Sequence, residues 1–250
     1  MSTLQKYLIG IDDTDNKDSR GTGFRARHLC SLIDEEELGK TLSVTRHQLF
    51  FHPDIPYTSQ NSSAGIEVET DDIEELKAFC KAYLICECAD GSDVGLCVAH
   101  FDKIPDQIIE WGKRAKKEIL TKEEAYEKAK DAGIYLEGFL GTLDGIIGSL
   151  AAVGLRKSGD DGRFIWLSGK ELRDFSGIYS ARELFELSIF DEIVTKDKLS
   201  INIDEKINIS EWIRPVLSEA KISVIVEPVK NNKDYEWQIA AKEYIKSISD

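Results

Sequence analysis

An apolar run, Leu8-Ile9-Gly10-Ile11, passes directly into Asp12-Asp13-Thr14-Asp15, and Arg20-Gly21-Thr22-Gly23 follows. Carboxylates at a strand end can hold a hard cation such as Mg²⁺, which takes oxygen ligands and bridges to substrate phosphates. A helix start just beyond offers free backbone N–H groups and a positive dipole end, both suited to phosphate. The tract therefore predicts a metal–phosphate site: Asp12, Asp13 and Asp15 on the metal, Gly21 and Gly23 at the phosphate-binding helix start, and Arg20 or Arg25 neutralising charge. The same residues also read as a solvated acidic turn closed by an Asx hydrogen bond, and the tract alone does not separate the two.

Two further segments carry chemical potential. Gly141, Gly145 and Gly148 fall at i, i+4 and i+7 of a glycine-rich stretch that runs to Gly154, expected to be helical. Glycine costs about 1 kcal/mol per helix-interior position relative to alanine, so a bare glycine face implies close packing or ligand approach. Thr142 and Asp144 stand beside it as candidate capping or ligand-contacting groups. The loop from His52 to Ser63 holds two prolines, hydroxyls and amides, and Asn61 and Ser62 are its candidate substrate or nucleotide contacts. His47, on a strand ending in Phe50-Phe51, reads as a core or surface histidine rather than a site residue. Trp111, Trp166, Trp212 and Trp237 are spread along the chain and read as packing residues.

Alternating strand-like and helix-like segments predict an α/β (α+β) protein. Strands are expected at 7–12, 42–51, 64–70, 94–100, 134–137 and 163–168, and helices at 22–37, 71–84, 105–119, 121–132 and up to 155. From about residue 176 the texture shortens, with strand-like pieces at 199–203, 222–229 and 235–240 around a helix at 210–220. The expected organisation is a nucleotide-binding core over 1–175 and a smaller C-terminal α+β module over 176–250.

Composition narrows the partners. The 250 residues carry a formal charge of −14, 42% hydrophobic and 31% charged residues, which describes a water-soluble globular chain. No stretch approaches the ~20 apolar residues that span a bilayer, and the first residues lack a secretory h-region, so the expectation is a cytoplasmic protein without membrane attachment. Five cysteines make no disulfide framework. Cys86-Glu87-Cys88 would place two thiols on one face if it lay on a strand, but no second pair completes a zinc site. The one dense basic run, Lys113 to Lys117, reads as the polar face of a helix whose apolar residues are Ile108, Trp111, Ala115 and Ile119. Nucleic-acid affinity rests on phosphate neutralisation, so nucleic acid is not the expected partner; the oligomeric state is left open.

Three motifs occur in a meaningful order. Ile9-Gly10-Ile11-Asp12-Asp13-Thr14-Asp15, then Asp54-Ile55-Pro56-Tyr57-Thr58 with Asn61 and Ala64, then Gly145 to Gly154 resemble the N-terminal half of the archaeal tRNA-isoleucine agmatinylcytidine synthetases, over roughly residues 7–170. That family joins an ATP-using kinase-like domain to a ferredoxin-like domain, adds an OB-fold and a zinc ribbon that hold tRNA, and activates a cytidine for attack by agmatine. The resemblance implies a mixed-sheet kinase-like core with a ferredoxin-like portion. It also implies ATP and Mg²⁺ as cofactors, with Asp12, Asp13 and Asp15 near metal and phosphates. Members follow the acidic tract with a phosphorylated threonine; here Phe24 takes that place and Thr22 lies two residues earlier. With no Cys-x-x-Cys pair and an acidic surface, the expectation is ATP/Mg²⁺-dependent phosphotransfer or activation of a small substrate, with Asp12, Asp13 and Thr22 as catalytic candidates. Two alternatives accompany it. One is a nucleotide-binding sensor or partner protein without turnover. The other is a phosphatase with Asp13 as nucleophile, Asp15 as acid/base, and Asp160 and Asp161 as distant metal ligands.

Overall fold

The computed structural model describes residues 3–58, 60–230 and 232–250, and the chain divides into two compact units, Met1–Ser158 and Gly159–Asp250. The first unit opens with β1 (Gln5–Asp12), α1 (Thr22–Glu35), β2 (Lys40–Gln48), β3 (Ser62–Thr70), α2 (Ile73–Glu87) and β4 (Gly95–His100). This is the β-α-β-β-α-β order, and the strands lie β4-β1-β3-β2 with every described pairing antiparallel. The ferredoxin-like portion is therefore this segment, and β5 (Tyr135–Gly138) extends its sheet beside β4. Helices α3 (Asp106–Ala115), α4 (Lys122–Asp131) and α5 (Gly145–Ser158) complete the unit.

Strand periodicity decides what β1 presents to each side. Leu8, Gly10 and Asp12 share one face, since successive side chains alternate. Leu8 joins the cluster of Cys97, Ala99, Ile146, Leu150 and Val153 against α5. At Gly10 the contact is backbone on backbone: a Cβ there would lie 1.9 Å from the Ser149 carbonyl oxygen. A Cβ at Gly95 would meet the Gly145 carbonyl carbon at 2.2 Å. Helix α5 thus lies directly on β1 and β4, and almost its whole length is buried. Its last turn is tied down by Arg156, whose guanidinium pairs with Glu67 of β3, itself paired with Lys6 at 2.9 Å. His47 is fully buried with Nε2 2.8 Å from Thr45 Oγ1, and Trp111 is buried with Nε1 donating to the Ile147 carbonyl at 3.2 Å. Asp72 caps α2 by accepting from Glu74 N–H (3.1 Å) and Glu75 N–H (3.0 Å).

The second unit holds β6 (Arg163–Leu167), β7 (Lys170–Glu171), β8 (Gly177–Ser180), α6 (Ala181–Glu186), β9 (Glu192–Thr195), β10 (Lys206–Ile209), β11 (Val216–Ser218), β12 (Lys221–Pro228), β13 (Trp237–Ile239) and α7 (Lys242–Ser249). Its sheet runs β6-β11-β12-β13-β10-β8, with β7 on β6 and β9 on β12. Mixed pairing resides here, because β9/β12 and β10/β13 are parallel. The division falls after Ser158 rather than at 175/176, since β6 pairs with β11 and Phe164 enters the second unit's core beside Ile207, Ile209 and Val224.

Other departures have local causes. The expected helix at 210–220 is an extended segment leading into β11, because Pro215 donates no N–H and keeps Arg214 out of the helical region. The expected strand at 199–203 is reduced to one bridge, Val194–Ser200. Gly141 is not helical: α5 begins at Gly145, and Gly141 takes a φ of +58° in the preceding turn. Cys86 lies in the last turn of α2 with Cys88 at its cap, so the two thiols do not share a strand face. Gly159 to Gly162 links α5 to β6. Among the described residues no helix is long and apolar enough to cross a membrane.

Because Gly10 has no room for a methyl group, Gly10→Ala is expected to lower the unfolding free energy by about 2 kcal/mol or more, an overpacking cost. Urea denaturation checks this, and an unchanged midpoint would contradict the backbone contact.

Candidate active site

The C-terminal end of β1 opens into a cleft of about 180 Å³, or about 900 Å³ with its solvent-open mouth. The Asp12–Asp15 turn, residues 54–58 and 60–62, residues 115–120 and the start of α5 form its walls. Asp12 points at α5 because it shares the Leu8–Gly10 face. A Cβ at Gly148 would lie 1.8 Å from Asp12 Oδ2, so the helix accepts this carboxylate only because it carries no side chain there. Asp13, just past the strand, has a φ of +52°, a left-handed conformation that costs energy in a non-glycine residue. The register sets Asp12 opposite Gly95, which brings Asp93 to the same edge. Asp93 holds the turn before α5, its carbonyl accepting from Gly145 N–H at 2.8 Å and its carboxylate from Thr142 N–H.

Negative charge accumulates at this edge. Burial, then the carboxylates of Asp93, Asp15 and Asp144, push the Asp13 carboxyl up to about 7. Burial and the Asp13 and Asp15 charges hold Asp12 well above the ordinary carboxylate range, against the opposing pull of a backbone hydrogen bond from Asp13. Asp144 has a cationic partner, Lys122 at 3.0 Å.

Asp15 has a different task. Its Oδ1 accepts from the Thr22 N–H (3.2 Å) and the Thr22 hydroxyl (3.0 Å), and its Oδ2 accepts from the Thr58 hydroxyl (2.8 Å). The Thr14 hydroxyl donates to Thr22 Oγ1 at 3.1 Å. Gly21 stands at the N-cap of α1 and has no side chain to cap it, so Asp15 supplies the cap from the preceding turn. The helix start expected to bind phosphate is thus already served by an internal carboxylate, which the same N–H groups and dipole favour. Thr22 lines the cleft but is only 6% exposed.

Several expected contacts lie elsewhere. Arg20 sits over the Phe24 ring at 4.4 Å, and Arg25 pairs with Glu87 at 3.0 Å; neither lines the cleft, nor do Gly21, Gly23 and Gly141. Asn61 and Ser62 do line it, as do Gly145 and Gly148. The Asn61 amide donates to the Phe50 carbonyl at 2.6 Å, so it shapes the loop as well as facing the cleft. Of the basic run, Lys113 pairs with Glu110 (2.8 Å) and Arg114 with Glu118 (3.0 Å) and Glu124. Asp160 belongs to the second unit, where it accepts from Ser218 Oγ and Glu219 N–H, both at 3.3 Å.

Among the described residues no three His, Cys, Asp or Glu side chains converge closely enough to hold a metal ion by themselves. With Asp15 committed to the α1 cap, Asp12 and Asp13 remain. Two carboxylates suit an oxygen-seeking cation that takes its other ligands from water and phosphate. Sequence reasoning missed Asp93, whose signal was an acidic residue just ahead of the apolar β4 run. It also missed the apolar wall of Leu49, Ile119, Leu120 and Ile147.

No protein-family profile matches the chain. An uncharacterized protein of Methanocaldococcus jannaschii is 31% identical over 156 residues, 61% of this chain and 50% of that protein. Among solved structures, apo TiaS, an agmatidine synthetase acting on an isoleucine tRNA, is 25% identical with a TM-score of 0.52, covering 60% of this chain and 35% of that one. The complex of TiaS with its isoleucine tRNA and ATP is 26% identical with a TM-score of 0.53, covering 60% and 36%. The fold matches one part of TiaS. The chain spans half the length of the archaeal relative and about a third of TiaS, and a further TiaS structure holds the tRNA, AMPCPP and agmatine.

Two outcomes follow from the charge distribution. Asp13 ionises at a higher pH in the folded chain than the ordinary value of 3.8, so its contribution to stability is present below about pH 4 and lost as pH rises through about 7. In metal-free buffer Asp13→Asn is expected to be more stable than the parent at pH 8, by roughly 1–3 kcal/mol, and nearly equal at pH 4; parallel denaturation profiles would contradict this. Asp15→Ala, in contrast, is expected to lose about 1–2 kcal/mol through the missing cap, with protection of the α1 amides falling in hydrogen exchange.

Proposed function

We propose that this chain carries an ATP- and Mg²⁺-dependent catalytic core that activates a small acceptor. The observation that carries the reading is the pairing of Asp12 and Asp13 at the cleft edge, against a helix face stripped of side chains at Gly145 and Gly148. The likeness to TiaS, solved with ATP and with AMPCPP, supports a nucleotide there.

Asp12 and Asp13 would hold the metal, which supplies charge neutralisation at phosphate oxygens when bound. The chain's own residues do the rest. Gly148 lets the Asp12 carboxylate approach the α5 backbone. Asp15, Thr22 and Thr58 lock the turn that carries Asp13, so we assign Thr22 to positioning rather than to covalent chemistry. The buried Leu49 and Leu120 make one wall apolar. A small acceptor is supported by the charge of −14 and by the pairing of Lys113 and Arg114 with neighbouring glutamates, which leaves little positive surface for an RNA backbone. The setting is cytoplasmic in this reading.

One observation favours a second reading, nucleotide binding without turnover. Among the described residues lining the cleft there is no Lys or Arg, the groups that stabilise transferring phosphoryl charge in other enzymes. The phosphatase reading has less support, since Asp160 is bonded to Ser218 and Glu219 within the second unit.

Calorimetry of ATP binding, with and without Mg²⁺, separates these. Binding that requires Mg²⁺ and weakens at least about tenfold in Asp13→Asn is the expected outcome. Equal affinity in both proteins would overturn the metal assignment. Release of ADP, or of AMP and pyrophosphate, with an acceptor would select the enzyme over the binding protein.

A further inference from the structure

The end of the sheet remote from the aspartates holds a second cavity, about 250 Å³ in volume. In β1 it starts at Tyr7, five residues before Asp12 and therefore about 17 Å along the strand. Tyr7 pairs with His100 of β4, while Asp12 pairs with Gly95, so the two cavities occupy opposite ends of the same strand pair. Lys77, His100 and Lys103 come to the lower cavity from α2, β4 and the single 3-10 turn that follows β4. Among the described residues no Asp or Glu lines it, in a chain with 46 acidic residues.

The donors are directed by their other bonds. His100 Nδ1 accepts from the Asp102 N–H at 3.2 Å, which leaves the ring proton on Nε2 as a donor. Lys77 lies 5.1 Å from the Tyr135 ring centroid and shares its charge with the exposed Glu74 at 2.7 Å. Lys103 has no ion-pair partner among the described residues. Tyr7 stacks edge-on to His100 with centroids 5.2 Å apart, fixing the imidazole. On the opposite wall Gly133 turns the end of α4 back with a φ of +64°, and the Ile134 N–H bonds the Ala129 carbonyl. The Ala129 carbonyl is thereby satisfied instead of facing the cavity.

From this we infer that the cavity is a metal-independent site for a small phosphorylated ligand, its phosphate held by Lys103, Lys77 and the His100 Nε2–H. Phosphate is favoured over carboxylate because two ammonium groups and an imidazole N–H reach the cavity from three elements, an arrangement that suits the several oxygens of a tetrahedral anion better than a planar two-oxygen group. The site is independent of the aspartate cleft, which needs a cation to accept an anion at all.

The probe is inorganic pyrophosphate, added with EDTA to the full chain and followed by amide NMR. Saturable shifts at residues 98–103 and 132–135 are expected. Lys103→Ala should weaken binding about tenfold and Lys103→Arg much less, while Asp13→Asn leaves it unchanged. The inference is overturned if nothing saturates or if the shifts gather at the aspartate turn and α5. Equal binding by Lys103→Ala, or shifts that need an oligonucleotide in place of pyrophosphate, would overturn it too.

Discussion

The site in this protein depends on one steric constraint: the backbone of α5 rests on the backbones of β1 and β4. Gly10 against Ser149 and Gly95 against Gly145 set the distance, and neither contact leaves space for a Cβ. Once that distance is set, Asp12 has nowhere to point except the bare patch at Gly148. The helix interior pays for its glycines in backbone entropy, and the return is a carboxylate seated on a helix rather than in water. The buried Arg156–Glu67 pair works from the other end of α5. It adds little net stability by itself, but losing one partner would strand a buried charge and so penalises any shift of the helix.

Electrostatics then divides the aspartates by task. Asp15 is satisfied by two hydroxyls and a backbone N–H and behaves as part of the fold. Asp12 and Asp13 have no such set of partners and repel one another, and Asp93 and Asp144 add to the field at Asp13. Such a cluster is stable at low pH when protonated, or at neutral pH when a cation neutralises it. The left-handed Asp13 backbone is a second cost stored in the same turn. Two penalties in adjacent residues, beside a cleft, support the proposed binding site over a solvated surface turn.

Much of this was legible in the chain itself. The apolar run of β1 and its terminal aspartates marked the strand end, and glycines at 145, 148 and 154 marked the close-packed helix. The ferredoxin-like order was implied by the motif resemblance, and the alternation of elements agrees with it. What could not be read was pairing across distance. Nothing local says that Asp15 turns back to cap α1, so the helix start looked open to phosphate. Nothing local brings Asp93 beside Asp12; that follows from antiparallel register between strands more than 80 residues apart in sequence. Gly141 shared the spacing of a helical face, yet its left-handed backbone belongs to the turn. In the second unit Pro215 outweighed the helical pattern of its neighbours.

In the proposed site Asp12 and Asp13 form the cation-binding edge while Asp15 belongs to the helix cap. Paramagnetic line broadening by Mn²⁺, in the presence of a non-hydrolysable ATP analogue, tests it directly. The account predicts the strongest broadening at the amides of residues 12, 13 and 145–148, with hydrogen-exchange protection of the α1 amides preserved. Broadening centred on Thr22 and Gly23, with loss of that protection, would mean that Asp15 leaves the cap to bind metal and would contradict the account.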